Sequence, residues 1–531
     1  MVLQRNKIIG FYIGHSKKEF NPDVVHSGIN DFTFECTGFF IRVWGIGNVR
    51  SLVADNYFSL SLFKSEDLLD RNVVIRFDDE AITVENDWLG SIPVFYNPDE
   101  CIISTLSNLC LTNNEIDLEG LSNYFDFGYS VFERTPFKSV KFLRYFSKAV
   151  LSADGLKIEN KSDPILEAEF FAQESKEQDV IDLMQAYIAH IESKTQGDIV
   201  LPTSGGYDSR ILNHLITDKS RIKSFTYGIS KAQSDSYEVV YAKKISEILK
   251  TDWKQIQLND FHQYIKDWFA IYGVSTHLHG MYHIEFYIKL LEKTRLDSPT
   301  FLSGIIGDAW SESGKFEQIN NVGDITKLGY SHGMSLDKCN SNIETSNNLY
   351  SAYFNKFSRC LEDDRVKTVQ AMRMKINLLS YLTQIPEYFG LPVWTPFLNF
   401  EIVKATLNIP ESRRKDRIWQ RDFFRKVGLN LEEMNLKSSK INRLNYEVAR
   451  KSPLEPLNVG LMTPYVKKSR LIEINKMLSN QGLFDSAKNQ LLFVPKVGGL
   501  LHHLGFKNNF LIALYEYYVI KSVEKGLSYV D

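Results

Sequence analysis

The sequence predicts two units of different fold class. Residues 1–160 read as a strand-rich α+β unit, residues 181–531 as an α/β unit with a parallel sheet flanked by helices, and residues 161–180 as the linker and helix start between them. Three observations carry this. Aromatic and β-branched runs broken by Asn, Asp and Gly fill the first part; "KSDPILEAEFFAQESKEQD" then interrupts them with Asp-Pro and a charged stretch; beyond it, short strands alternate with apolar residues at helical spacing.

In chain order, "KIIGFYIG", "FTFECTGFFIRVWGI", "VVIRFDDEAITVEND", "PVFYN" and "AVLSADGLKIEN" read as strands of packed sheets, with "LEGLSNYFDFG" a short helix among them. After the linker, "VIDLMQAYIAHIESK" has helical periodicity, and "DIVLPTS" and "IKSFTYG" are short strands between helices, the alternation that builds a parallel sheet. The last third is helical, with "MRMKINLLSYLTQIPEYFG" and "FLIALYEYYVIKSVEKG" as periodic stretches.

A chain of 531 residues has room for two or three proper cores, and 44% hydrophobic with 24% charged residues is the balance of a folded protein. With 62 basic against 65 acidic residues, no strong field draws in nucleic acid or an anionic membrane, and neither is expected as a partner. Five cysteines without CxxC spacing argue against a disulfide framework and a zinc site, and fit a reducing compartment. No apolar stretch reaches the about 18 residues of a spanning helix, and the first apolar run is too short for a signal core, so a cytoplasmic location is expected.

The most specific stretch is "DIVLPTSGGYDSRIL", Asp198 to Leu212. Glycines at Gly205 and Gly206 allow positive φ and close approach of backbone N–H groups to an anion, and the following helix N-terminus adds partial positive charge. Ser204 and Ser209 can donate to the same oxygens, whereas Asp208 would repel a bare phosphate and so implies a cation such as Mg²⁺ between them. No GxxxxGK[ST] occurs, which excludes the P-loop of kinases and GTPases. A tight turn in which Asp208 or Ser209 only caps the helix is the plain structural alternative.

This loop resembles the SGGxDS pyrophosphate loop of the asparagine synthetases and their relatives. "IKSFTYGIS" is similar to the family's next strand, "SYEVVYAKKISEILKTDWKQI" to the helix after it, "FLSGIIGDAW" to its second metal and nucleotide loop, and "TPFLNFEIVKATLNIP" to its Pro-Phe-Leu-Asp segment. The resemblance implies an adenine nucleotide alpha hydrolase-like fold in which ATP activates a carboxylate as an acyl-adenylate, pyrophosphate leaves and an amine attacks. It implies that Asp208 and Asp308 hold Mg²⁺, that Ser204, Gly205, Gly206 and Ser209 cradle the pyrophosphate, and that Pro202, Tyr227, Ser303 and Gly304 contact nucleotide. Charge gathering on the pentavalent phosphorus calls for a cation, and Lys440 in "MNLKSSKINRL", rather than Lys437, stands where the family carries one.

In the first unit, "NDWLGSIPVFYN" and "FDFGYSVFERTPFKSVKFL" resemble segments of the glutaminase domain usually fused to these synthetases, which implies a sandwich of two antiparallel sheets flanked by helices. That glutaminase needs a cysteine at its mature N-terminus. Val2 stands there, and Cys36 in "FECTGFF" reads as a buried small hydrophobe, so a degenerate domain without glutamine hydrolysis is expected.

Other departures concern the substrate. Ile305 and the region of Pro392 are apolar where the family has glutamates, and Asn399 replaces an aspartate, which removes the charges that would hold the ammonium of aspartate. Glu387, Glu312 or a histidine of "THLHGMYHIEF", where His277, His279 and His283 cluster, is left to act as a base. The basic run of "ESRRKDRIWQRDFFRKVG" reads as a solvated helix face or as a patch for an anionic substrate. The expected function is an ATP- and Mg²⁺-dependent ligase joining a small-molecule or peptide carboxylate to ammonia or a substrate amine. A ring-closing synthetase of the β-lactam or lasso-peptide type and a non-catalytic ATP-binding relative are the alternatives, and a homodimer stays open.

Overall fold

The computed structural model describes residues 6–20, 24–63, 65–167, 169–312, 317–329, 333–344, 348–479 and 483–530; Val2 lies outside them. Two antiparallel sheets form the N-terminal half. One has the order β2 (Ile29–Cys36), β3 (Phe39–Ile46), β1 (Lys7–Gly14), β8 (Ile102–Ser104), β7 (Phe95–Asn97) and β9 (Lys141–Phe142). The other runs β11 (Gly155–Asn160), β10 (Ser147–Ser152), β6 (Ala81–Asn86), β5 (Val73–Phe77) and β4 (Tyr57–Ser59).

Alternation along the strands packs these sheets face to face. Ile8, Phe11 and Ile13 of β1 share a core with Val73 and Ile75 of β5 and Val84 of β6. β1 is buried along its whole length because Ile9 and Tyr12, on its other face, join a second core with helices of the C-terminal half. That double burial is why "KIIGFYIG" is nearly all apolar. Cys36 corrects an expectation. It ends β2 beside the two-residue turn Thr37–Gly38, both at positive φ (54° and 78°), and is half-buried with its Sγ 3.2 Å from the Thr37 hydroxyl.

After β11 the chain reaches the helix Glu177–Lys194 and then a parallel sheet of β12 (Ile199–Pro202), β13 (Ile222–Thr226), β14 (Asp252–Gln255), β15 (Thr300–Leu302) and β16 (Val393–Trp394). Both faces are covered. Ile199 and Leu201 pack on Val180, Met184 and Ile188 of the preceding helix, while Val200 packs with Phe225, Phe301 and the helix Tyr282–Lys293. The spatial order is β14-β13-β12-β15-β16. The chain therefore leaves β12 on one side and returns on the other, so the loops following β12 and β15 diverge and open a crevice at their carboxyl ends.

Buried polar contacts tie the halves together. Arg71 grips Glu387 with two hydrogen bonds of 3.0 Å and Lys7 pairs with the same carboxylate, all three side chains at most 5% exposed. Burial alone would raise the Glu387 pKa, but Arg71 and Lys7 outweigh it and hold the carboxyl below its ordinary range. Glu387, expected as an alternative base, is instead a structural anion at the seam. Trp88 Nε1 donates across the same seam to the Leu398 carbonyl at 2.9 Å. No helix among the described residues is long and apolar enough to cross a membrane.

Candidate functional site

The crevice is built on the turn between β12 and the helix Tyr207–Leu215. Ser204 Oγ accepts from the Gly206 N–H at 3.1 Å, and the Ser204 N–H donates to Ser209 Oγ at 3.1 Å, so the hydroxyls lock the loop on itself. The glycines serve a different need from the one the sequence suggested. Neither has positive φ, and Gly206 sits at φ −70° as the residue before the helix. Gly205 is required by close approach, since a Cβ there would lie 2.4 Å from the Tyr237 ring. The Gly205 carbonyl is fastened from two sides, by the Tyr237 hydroxyl at 3.2 Å and by fully buried Arg210 at 2.8 Å, which also forks onto Glu432 at 2.9 Å.

At the mouth of this turn lies a cavity of about 440 Å³. Pro202, Ser204, Gly206, Asp208 and Ser209 line it from β12, Tyr227 from the end of β13, and Ser303 and Gly304 from the loop after β15. Its size is that of a small-molecule site. Gly205, Asp308 and Lys440 stand outside this lining. The cavity adds residues to which no site role was given beforehand: Glu238, Phe286, Tyr287 and Leu382, with His283 from the histidine cluster.

The loop Ser303–Asp308 presses directly onto Asp208. A Cβ on Gly307 would be 2.7 Å from the Asp208 carboxyl carbon, and one on Gly304 would touch the Asp208 backbone at 3.5 Å. Burial and then the charge of Asp308 push Asp208 up to about 7, with Arg417 and the Asp308 N–H pulling it back. Its Oδ1 is buried without a hydrogen-bond partner. Asp308 itself is exposed, with Arg417 3.8 Å away. Two carboxylates from the first turns of separate helices, one with an unpartnered oxygen, fit a divalent cation, and Mg²⁺ usually takes one or two carboxylates with phosphate and water oxygens for the rest. Among the described residues, no group of three or more His, Cys, Asp and Glu could hold a metal alone.

Cations converge from elements far apart in sequence. Arg417 follows Asp416 at a kink where both have positive φ (52° and 55°), and its guanidinium also reaches Glu312 at 3.5 Å. Lys375, on the helix Asp364–Leu379, is lowered by burial to about 8 while Asp308 works the other way. Lys440 Nζ stands 4.8 Å over the Tyr237 ring, and its charge partly offsets the rise that burial causes in Glu238. Of the remaining basic run, Lys415, Arg421, Arg425 and Lys426 are exposed, while two arginines make structural contacts. Arg413 pairs with Glu177 and Asp422, and buried Arg414 donates to the Ile409 carbonyl at 2.9 Å.

Two further polar atoms around the cavity have no partner: Glu238 Oε2 and His283 Nε2. Burial and the neighbouring His279 lower His283 to about 3, so its ring is neutral. His279 is hydrogen-bonded to Asn445 at 2.9–3.1 Å, and His277 Nδ1 accepts from the His279 N–H at 3.3 Å. Asn399 accepts from the Ile402 N–H at 3.3 Å and caps the helix Phe400–Leu407. Ile305 is buried in the cavity wall.

No family model matches the chain, and no curated protein matches it. Among solved structures, it is similar to one described as the structure of the allosteric regulatory enzyme of purine biosynthesis, at 9% identity, covering 35% of this chain and 47% of that one, with a TM-score of 0.12. A likeness of that size carries no argument about fold or activity.

Proposed function

We propose that the chain is an ATP- and Mg²⁺-dependent ligase that adenylates a carboxylate, releases pyrophosphate and passes the acyl group to ammonia or a substrate amine. One observation carries this reading: the carboxyl of Asp208, with one unpartnered oxygen and raised to about 7 by burial and Asp308, at the mouth of a Ser-Gly-Gly turn into a helix. A repelling pair of carboxylates next to a phosphate-type turn has a physical use when a cation neutralises both. When bound, Mg²⁺ would supply that neutralisation and polarise the phosphoryl group.

The chain's own residues account for the rest. The N–H groups of the helix start, with the Ser204 and Ser209 hydroxyls once these turn from the loop to the ligand, would hold the departing pyrophosphate, and the helix adds its dipole. Lys440, Lys375 and Arg417 stand ready for charge that develops as the P–O bond to pyrophosphate breaks and the substrate carboxylate bonds to phosphorus. Tyr227, Phe286 and Tyr287 give the cavity an aromatic wall that suits a purine and keeps water from the acyl-adenylate. The amine then attacks the acyl carbon, AMP departs, and Glu238 in the cavity wall, its carboxyl raised by burial, would take the amine proton.

The test is pyrophosphate release from MgATP with a panel of carboxylates, with ammonium or amines supplied, against an Asp208→Asn control. Release that needs both a carboxylate and Asp208 supports the ligase. Tight ATP binding with no release across the panel overturns it in favour of an ATP-binding relative.

A further inference from the structure

A second cavity, of about 380 Å³, opens where the sandwich meets the helices Asn348–Phe357 and Asp364–Leu379, and it shares no lining residue with the first. Its wall holds an open cationic fork. The Arg144 guanidinium lies 4.3 Å over the Tyr145 ring and donates to the Tyr145 hydroxyl at 2.9 Å, and among the described residues no carboxylate forms an ion pair with it. Nearby Arg373 is different: it is fully engaged by Asp163 at 2.5 and 3.1 Å and by the Trp88 carbonyl.

The rim carries an acid, Glu133, raised by burial and pulled back by the charges of Arg144 and Lys356 across the cavity. Phe132 and Glu133 are the central residues of a turn closed by a bridge between Val131 and Arg134, and both have positive φ (55° and 57°). Asn-Gly is the usual pair for such a turn, and two residues of other types there are strained. That strain is stored where both side chains line the cavity, a pattern typical of ligand sites. In the wall, Gln370 Nε2 and Asn377 Oδ1 are buried without partners.

We infer that this seam cavity binds an amino-acid zwitterion with an apolar side chain, its carboxylate in the Arg144 fork, its ammonium at Glu133 and its side chain against Phe132, Phe142 and Tyr353. A simple cation would be repelled by Arg144 and Lys356, and a simple anion would draw on those two bases but leave Glu133 facing it. The zwitterion satisfies both, and bidentate carboxylate recognition is what a free guanidinium offers. The inference stands apart from the ligase reading, since it uses none of the residues of the first cavity.

Phenylalanine is the probe, followed by calorimetry and saturation-transfer NMR on the full chain. Phenylalanine should bind at millimolar or lower concentration, and 3-phenylpropionate and phenylalanine amide at least tenfold more weakly. Arg144→Gln should abolish binding, and Glu133→Gln should make phenylalanine and 3-phenylpropionate equivalent. Ala352→Trp, at an exposed lining position, should block the cavity if Arg144→Gln fails to fold. Saturating MgATP should leave binding intact. Displacement by MgATP or inorganic phosphate, equal binding of all three probes, or unchanged binding in Ala352→Trp overturns the inference.

Discussion

Two buried carboxylates show how differently this molecule treats the same group. At the seam, Glu387 lies between Arg71 and Lys7 and is held below its ordinary range. At the parallel sheet's crevice, Asp208 faces Asp308, keeps an unpartnered oxygen and is pushed up to about 7. A carboxylate with its charges matched holds a fold together. One left unmatched beside a second acid is poised for something that arrives later.

Removing the matched acid should have the largest effect. Glu387→Ala strands Arg71 and Lys7 in a nearly dry site, and breaking a buried pair in this way costs about 3–5 kcal/mol. Urea unfolding should show it, and replacing Lys7, Arg71 and Glu387 together by methionine should recover much of the loss. If Glu387→Ala were neutral, the seam would not be a structural anchor and the contrast would fail. Next in size, Asp208→Asn should lower pyrophosphate release by about 10²–10³-fold, roughly 3–4 kcal/mol of transition-state stabilisation. The same variant should leave the ligand-free protein as stable as before or more so, because it removes repulsion. A loss of both activity and stability would place Asp208 with Glu387 as a structural group.

The two regions also differ in how far the sequence reveals them. The strand–turn–helix at Ser204–Ser209 was legible because every residue that makes it is local, and Ser303, Gly304 and Asp308 followed from a second short motif. The sequence singled out the glycines for positive φ, which neither has, and the Tyr237 ring 2.4 Å from a Cβ is the reason for Gly205. Arg417 was hidden in a basic run because it is aimed by a kink at Asp416 and Arg417 that no Gly or Asn announces. Lys375 was hidden in a helix buried almost all round, so no polar face marked it out. The pairing of Glu387 with Lys7 joins residues 380 positions apart, and no local pattern encodes such a contact.

A pH series sharpens the contrast. The folded pKa of Asp208 is raised from 3.8 to about 7, so between these values the folded chain binds more protons than the unfolded one. Its contribution to stability is full below the unfolded value and is lost as pH rises through about 7. After a discount for the part of the side chain that reaches solvent, the ligand-free protein should lose roughly 2 kcal/mol between about pH 4 and about pH 7, and Asp208→Asn should flatten that slope. Mg²⁺ competes with the proton, so its affinity should rise over the same interval. A stability curve with no Asp208-dependent slope would mean that neither burial nor Asp308 raises this carboxyl.

The smallest effect separates two lysines three residues apart. Lys440 stands over the Tyr237 ring, and the hydroxyl of that ring holds the Gly205 carbonyl, so its cation is attached to the pyrophosphate turn through one aromatic side chain. Glu238 in the cavity wall also feels its charge. Lys440→Met should lower pyrophosphate release about tenfold, near 1.4 kcal/mol, with little change in ATP affinity, as expected of a cation that matters most when negative charge builds on the leaving group. Lys437→Met should change neither quantity. Equal effects from both would mean a diffuse basic loop, and a large loss of ATP affinity in Lys440→Met would make that lysine a ground-state contact.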